Sequence, residues 1–197
     1  LFKGEIFAVP PGDKIKVDME VYYSSGLKNE GVTDLSYDNL IKILQTTENF
    51  GIKFYTILLF GERELKESIP FIAPFLNDTD TNIRIAAADA LGKLGDLRGI
   101  PVLEKICEEK PDDLKCSDAT RVLAKNGDLN AYKYIKNFTK SKNWGYRSGA
   151  LYHMQILAEK IEPTNPYQSK AILDDMITVL SEDEDANVIK GAISFLS

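Results

Sequence analysis

The sequence offers few side chains that could take part in catalysis, and the first to consider is its single histidine, His153. A histidine that acts as a general base needs a nucleophile or a carboxylate within hydrogen-bond reach. Glu159 is the first acidic residue after His153, six residues further along the chain. In a helix it would lie on another face. We therefore expect His153 to be a packed or surface residue.

The two cysteines, Cys107 and Cys116, fall in neighbouring predicted helices joined by residues 108–113. The sequence favours two free, half-buried thiols, because cysteine packs as a small hydrophobic residue. A disulfide would need Cα atoms about 4.4–6.8 Å apart, and therefore two side chains that face the same seam between the helices. Two cysteines and one histidine form a poor ligand set, so we expect no metal site.

An acidic run at residues 181–185 reads SEDED and resembles a calcium-binding loop in composition. It lacks the central glycine and the terminal glutamate of an EF-hand. We interpret it as a solvated loop whose Asp183 and Asp185 precede a helix, where negative charge is favourable. The chain also shows no P-loop, dinucleotide fingerprint, nucleophile elbow or zinc spacing. We therefore expect no cofactor and no enzymatic activity.

Positive charge and aromatic side chains are concentrated in one segment, residues 132–147, which we name the basic-aromatic band. The net charge of the chain is −6, yet residues 129–158 contain five cations and no acidic residue. Cations attract phosphate, and aromatic rings stack on bases or pack against peptides. The alternative is a helix with an aromatic face in the core and a lysine face in water. The candidate partner-binding residues are Lys133, Lys136, Lys140, Lys142, Trp144 and Tyr146.

Composition places the chain among ordinary globular proteins, with 197 residues, 44% hydrophobic and 27% charged. The longest apolar runs, such as residues 55–60, are far shorter than the about 20 residues of a membrane span.

The sequence starts without methionine or a leader pattern, so we interpret Leu1 as a processed or trimmed end. Cytoplasmic and extracytoplasmic localisation both stay open. The helical pattern that reaches Ser197 indicates that further repeats follow.

A repeat of about 31 residues organises most of the chain. An apolar residue followed by a cation recurs at steps of 31, 31 and 32 residues, in the dipeptides Ile52-Lys53, Ile83-Arg84, Leu114-Lys115 and Tyr146-Arg147. Ile69-Pro70 recurs as Ile100-Pro101 after 31 residues. A period in this range marks a stacked array whose units cannot bury their apolar faces alone.

Apolar periodicity and capping residues predict a series of helices over this array. Asp80 or Thr81 is expected to cap the helix that follows, and Pro74 to bend or end its helix. A longer loop is expected at residues 162–168. The predicted helices span residues 37–46, 51–60, 65–76, 82–94, 100–107, 113–125, 130–138, 144–161, 169–180 and 187–196.

The first part of the chain has a different pattern. Residues 5–9 and 14–23 read as strands around a turn at residues 10–13, because Ile15, Val17, Met19 and Val21 alternate with polar residues. Residues 24–34 read as a linker, with Asp34 or Ser36 as the cap of the next helix. The sequence thus predicts two domains: a hairpin with its linker at residues 1–34, and a helical repeat domain at residues 35–197.

Residues 77–107 read NDTDTNIRIAAADALGKLGDLRGIPVLEKIC. The small residues, the Gly-Asp turn and the Ile-Pro start together resemble a HEAT repeat of the short bacterial and archaeal type that also occurs in phycobilin lyases. The resemblance implies an all-α fold, a right-handed α-α superhelix (a HEAT-like solenoid), here carrying a short N-terminal β-hairpin. It also implies that Lys53, Arg84, Lys115 and Arg147 form a structural ladder, each bonded to an acidic residue of a neighbouring repeat.

The sequence therefore predicts a non-catalytic protein-binding scaffold. A helical solenoid presents an extended surface to a partner, and no motif demands a reaction. The expected partner is another protein of unknown identity. One alternative is nucleic-acid recognition, as in HEAT-like alkylated-base glycosylases, against which five cations in the band and a net charge of −6 argue. The other is a chromophore or cofactor lyase, which depends on the resemblance alone.

Overall fold

A computed structural model describes residues 14–196, with side chains described from Glu20 to Ser194. Over these residues the fold is all-helical and contains no strand. In this part of the chain no helix is both long and apolar enough to cross a membrane. The helices are α1 (Lys14–Asn29), α2 (Tyr37–Thr46), α3 (Phe50–Glu62), α4 (Ile69–Ile72), α5 (Thr81–Lys93), α6 (Ile100–Glu109), α7 (Leu114–Lys125), α8 (Ala131–Phe138), α9 (Trp144–Ile161), α10 (Pro166–Glu182) and α11 (Ala186–Leu196).

Local sequence signals set most of these boundaries. The Asp80 carboxylate accepts a hydrogen bond from the backbone N–H of Asn82 at 2.7 Å, so Asp80 is the predicted N-cap of α5. Pro74 follows α4 closely, and the chain continues as a 3₁₀ turn at Ala73–Asn77, as its missing N–H and its ring require. Pro166 occupies the first turn of α10, so that helix begins earlier than predicted and shortens the preceding loop.

The predicted β-hairpin is wrong where the structure describes it. Lys14–Asn29 is one helix that includes the predicted second strand and half of the linker. Burial follows the helical spacing of Tyr23 and Leu27, whereas Val21 of the alternating pattern is 59% exposed. The helix gains its stability by packing on α3, and a lone hairpin is marginal in water. Residues 5–13 lie outside the described residues, and the domain boundary at residue 34 stays a prediction.

The helices form two layers around one continuous core. In the first layer α1, α3, α5, α7, α9 and α11 pack in this order, each against the next. The second layer consists of α2, α4, α6, α8 and α10, each packed on members of the first. Buried apolar side chains connect Tyr23 of α1 to Ala192 of α11 in one core. The layers thus have the nearest-neighbour packing of a repeat array.

The first two cations of the predicted ladder bind the connector that precedes α5. Lys53 Nζ lies 3.5 Å from the Asp78 carboxylate. Arg84 donates to the backbone carbonyls of Asp78 at 2.8 Å and Thr79 at 3.1 Å, and to the hydroxyl of Thr81. Lys53 therefore joins adjacent repeats, whereas Arg84 fixes the connector of its own repeat.

The other two ladder cations join successive repeats. Lys115 donates to the side-chain carbonyl of Asn82. Arg147 donates to the carboxylates of Asp183 at 2.6 Å and Asp185 at 3.3 Å. The same contacts show that the acidic run is held by Arg147.

Among the described residues, Lys53 and Arg147 have the predicted acidic partners in a neighbouring repeat. The prediction is wrong for Arg84, whose partners lie in its own repeat, and Lys115 binds an amide rather than a carboxylate of the neighbouring repeat.

A disulfide joins Cys107 of α6 to Cys116 of α7, so the expectation of two free thiols is wrong. The short connector between α6 and α7 folds both side chains into one seam, with their Cα atoms 4.5 Å apart. Both residues are fully buried. The sequence could not supply this outcome, because the side-chain directions depend on how the two helices pack.

Reduction of this disulfide is expected to lower the free energy of unfolding by about 2–3 kcal/mol, because the cross-link restricts the unfolded chain. Urea denaturation with and without tris(2-carboxyethyl)phosphine measures the difference. The double variant Cys107→Ala/Cys116→Ala serves as the control and should not respond to the reductant. An equal midpoint for the wild-type protein under both conditions would contradict the cross-link.

Two glycines within helices provide a matched test of the layer packing. A Cβ at Gly61 would lie 2.8 Å from Ala90 Cα, whereas a Cβ at Gly149 meets no atom within 4 Å. We expect Gly61→Ala to destabilise the protein by about 1–3 kcal/mol through overpacking. Gly149→Ala should stabilise it by up to about 1 kcal/mol through helix propensity. Thermal unfolding of both variants checks the opposite signs, and a stabilised Gly61→Ala variant would refute the close contact.

Candidate functional site

The lysines of the basic-aromatic band lie along and just after α8. Two of them contact other side chains of the fold: Lys136, and Lys133, whose Nζ lies 4.5 Å from the centroid of the Tyr134 ring. Lys133 and Lys140 are exposed. Lys136 Nζ lies 2.9 Å from the Asp175 carboxylate of α10, which also accepts a hydrogen bond from the Tyr132 hydroxyl. Burial opposes the charge of Asp175, but these two hydrogen bonds lower the pKa of its carboxyl group. Lys136 therefore connects α8 to α10.

Two aromatic residues of the band, Trp144 and Tyr146, lie at the start of α9 and differ in exposure. The Asn143 side chain caps this helix by accepting from the backbone N–H of Gly145 at 2.8 Å. Trp144 is 45% exposed. Tyr146 is partly buried, with its ring centroid 5.4 Å from that of Phe138. Trp144 is thus open to a partner, whereas Tyr146 mainly packs against the core.

The structure brings all six predicted site residues to α8, the following connector and the start of α9, but it does not leave all six free for binding. Lys136 and Tyr146 have partners within the fold. The exposed residues are Lys133, Lys140, Lys142 and Trp144. We name these four the exposed part of the band.

A second surface, which the sequence did not reveal, is a cavity of about 270 Å³ between α1, α3, α5 and α7. We name it the first-layer groove. Its lining combines aromatic, aliphatic and charged side chains, namely Tyr22, Tyr23, Phe54, Leu58, Asn82, Ile85, Ala86, Asp89, Asp118 and Arg121.

Aromatic rings from α1 and α3 form one wall of the groove. Tyr22 is 55% exposed, and its ring meets those of Tyr23 and Tyr55 edge-on at centroid distances of 5.3 and 6.1 Å. Phe54 stacks on Phe50 at 5.7 Å. These ring contacts hold the wall in place without covering the outer surface of Tyr22.

A buried ion cluster lies beside the floor of the groove. Lys93 Nζ is 3.0 Å from the Asp89 carboxylate in the same helix and also pairs with Glu62 of α3. Burial opposes ionisation of Asp89, but Lys125, Lys93 and Arg121 hold the pKa of its carboxyl group well below the usual value. The cluster is therefore charged at neutral pH and ties α3 to α5.

The α7 side of the groove carries three charged residues with less complete pairing. Burial raises the pKa of Asp118, whose nearest cation, Lys115, lies 4.0 Å away. Desolvation lowers the pKa of Lys125 to about 8, although Asp89 opposes this shift. Within the described part of the chain, neither Arg121 nor Lys125 forms an ion pair within 4.0 Å.

His153 is buried, which confirms that it is a packed residue. Its Nδ1 atom has no hydrogen-bond partner among the described residues. Burial, together with the positive charges of Arg121 and Lys125, lowers its pKa to about 3. The imidazole is therefore neutral at physiological pH. No group of three or more His, Cys, Asp or Glu side chains in residues 20–194 is arranged to hold a metal ion.

Sequence reasoning missed the groove for two reasons. Tyr22 and Tyr23 fall at the predicted strand and its boundary with the linker, so the aromatic wall was not assigned to a helix. Asp89 gave the one usable signal, because a carboxylate among consecutive alanines of a buried helix needs a partner. Its partner Lys93 lies four residues further along the same helix, a spacing that the sequence could have shown. The Glu62–Lys93 contact, in contrast, spans two repeats, and no local pattern connects those two residues.

Residues 37–124 match the family model for HEAT repeats. The match covers α2 to α6 and nearly all of α7, which includes three of the four helices around the groove. A comparison with curated proteins gives no significant match.

The buried imidazole predicts a specific pH dependence of stability. Because the pKa of His153 falls from 6.5 to about 3 on folding, the unfolded chain takes up the proton first as the pH falls. Stability is fully present above pH 6.5 and declines towards pH 3. Between pH 7 and pH 5 we expect a loss of about 2 kcal/mol, measured by urea denaturation.

His153→Gln provides the control for that experiment, because His153 is the single histidine and carboxyl groups titrate mainly below pH 5. The variant should keep nearly the same stability at both pH values. A wild-type protein equally stable at pH 7 and pH 5 would show that His153 becomes protonated in the folded state.

Proposed function

Because residues 37–124 match the family model for HEAT repeats, we propose that this chain is a non-catalytic scaffold that binds another protein. HEAT repeats in general mediate protein interactions. We also propose that the two layers of helices wind into a right-handed superhelix and that residues 35–197 form the repeat domain.

The observation that carries the proposal is the exposed part of the band. Lys133, Lys140, Lys142 and Trp144 are exposed on one stretch of the repeat array, from α8 to the first residue of α9. A large exposed aromatic residue is typical of binding hot spots. Lysines around it steer an acidic partner towards the surface. We infer that this surface is a contact site for the partner.

The charge of this surface favours a protein partner over a nucleic acid. Three exposed lysines make few phosphate contacts, and the chain carries a net charge of −6. Duplex-binding proteins present a larger basic patch or stripe. The lyase alternative gains no specific support from the described side chains.

The test is an affinity pull-down from lysate of the source organism. The band variant replaces Lys133, Lys140, Lys142 and Trp144 by alanine. The control variant replaces Lys105, Lys110, Lys170 and Tyr167 by alanine; these are also exposed residues, three lysines and one aromatic residue, outside the band. We expect wild-type and control proteins to recover the same protein and the band variant to lose it, by tenfold or about 1.4 kcal/mol.

Circular dichroism and thermal unfolding must first show that both variants are folded. If the band variant still recovers the partner, the contact site lies elsewhere on the array. Recovery of nucleic acid or pigment without a protein partner would overturn the scaffold proposal itself.

A further inference from the structure

We propose that the Cys107–Cys116 disulfide is a permanent structural cross-link and that the protein therefore works in an oxidising compartment outside the cytoplasm. The inference does not depend on the scaffold function. It rests on the burial of both sulfur atoms, on the seam in which they meet, and on the fact that the bond uses both cysteines of the chain.

The cross-link lies inside the helix array rather than on its surface. Cys107 and Cys116 are both 0% exposed, and their Cα atoms are 4.5 Å apart across the seam between α6 and α7. The Thr120 hydroxyl oxygen lies 3.5 Å from the sulfur of Cys107 and 3.7 Å from that of Cys116, and Thr120 is itself fully buried. Protein atoms therefore separate the disulfide from any reductant in solution.

This burial distinguishes the pair from a redox switch. Reduction requires a thiolate or another nucleophile to attack one of the two sulfur atoms, and cysteines that respond to redox conditions are accessible to solvent. Here a reductant can reach the bond only after α7 has moved away from α6. Because α7 also packs on α5, α8 and α9, this movement disrupts contacts in the middle of the array. The disulfide consequently persists in the folded protein once it has formed.

The bond must form by thiol–disulfide exchange while the seam is still open. One cysteine thiolate attacks the disulfide of an oxidised dithiol catalyst, which forms a mixed disulfide and releases one catalyst thiolate. The second cysteine thiolate then attacks the protein sulfur of that mixed disulfide, which forms the Cys107–Cys116 bond and releases the other catalyst thiolate. The catalyst thus gains two electrons, and the two protons lost by the cysteines balance the two taken up by its thiolates.

The requirement for an oxidant determines the compartment. Disulfides form and persist in secreted and cell-surface proteins, in the bacterial periplasm and in the lumen of the endoplasmic reticulum, whereas glutathione and thioredoxin keep cytosolic thiols reduced. Disulfides of cytosolic proteins are usually transient and act in catalysis or redox sensing. Two fully buried sulfur atoms are unsuited to either role. A permanent cross-link in this seam therefore indicates a protein that folds and works outside the cytoplasm.

Thiol trapping in cells of the source organism tests the compartment. Cells are quenched with trichloroacetic acid, free thiols are blocked with N-ethylmaleimide, and disulfides are then reduced and labelled with a polyethylene glycol maleimide. We expect the full chain, detected with an antibody, to gain the mass of two labels, one for each of its two cysteines, and only when the reduction step is included. The Cys107→Ala/Cys116→Ala variant should gain no label and controls for non-specific labelling.

Reduction of the purified protein tests whether the cross-link is permanent. Tris(2-carboxyethyl)phosphine is added to the full chain without denaturant and in urea, and oxidised glutathione in each sample serves as an exposed control disulfide. We expect the native protein to lose its disulfide at least about 100-fold more slowly than the unfolded chain, because the buried bond becomes accessible only through local unfolding. The glutathione disulfide should be reduced at a similar rate in both samples.

Three results would overturn the inference. The first is that N-ethylmaleimide blocks both cysteines in cells before reduction, and the second is a partly reduced population in cells. The third is equal rates of reduction for the native and the unfolded protein, which would make the bond an accessible switch. Neither measurement involves a partner, so their failure leaves the scaffold function standing, and failure of the partner capture leaves the cross-link standing.

Discussion

The close contact between α3 and α5 is the constraint on which the rest of the array depends. A Cβ at Gly61 would lie 2.8 Å from the backbone of Ala90, so the two helices approach as closely as the chain permits. Ala88 of α5 makes a similarly close contact with Gly99, which lies in the 3₁₀ turn that precedes α6. Helices this close leave room for small residues only, and each adjacent pair can then bury its apolar stripe against the next.

The close contact between α3 and α5 also brings the residues of the buried ion cluster together. Glu62 lies next to Gly61 in the chain, so the contact that seats the glycine also places this carboxylate beside Lys93 of α5. A buried charge is costly unless it is paired, and Lys93 satisfies both Glu62 and Asp89. Apolar packing and charge pairing therefore specify one relative position of α3 and α5, and this position in turn shapes the floor of the groove.

Beyond α5, a disulfide and ion pairs help to fix the relative positions of the helices. The Cys107–Cys116 disulfide fixes the turn between α6 and α7, where the sequence departs from the clearest repeat. Arg147 then holds the connector before α11 through Asp183 and Asp185. The array thus uses a different device at each junction, while the order of packing in the first layer stays the same.

The sequence by itself determined the helices from α2 onwards and their repeat, because caps, prolines and apolar spacing act over a few residues. Asp80 and Pro74 could each be assigned in this way, whereas the ladder cations were assigned from the family resemblance. Tertiary structure alone decided the helical state of residues 14–23, which depends on the surface that α3 offers to Tyr23. It also decided the pairing of the cysteines and the assembly of the groove. These features join side chains from different repeats, and their distances follow from helix packing, which no local pattern of residues encodes.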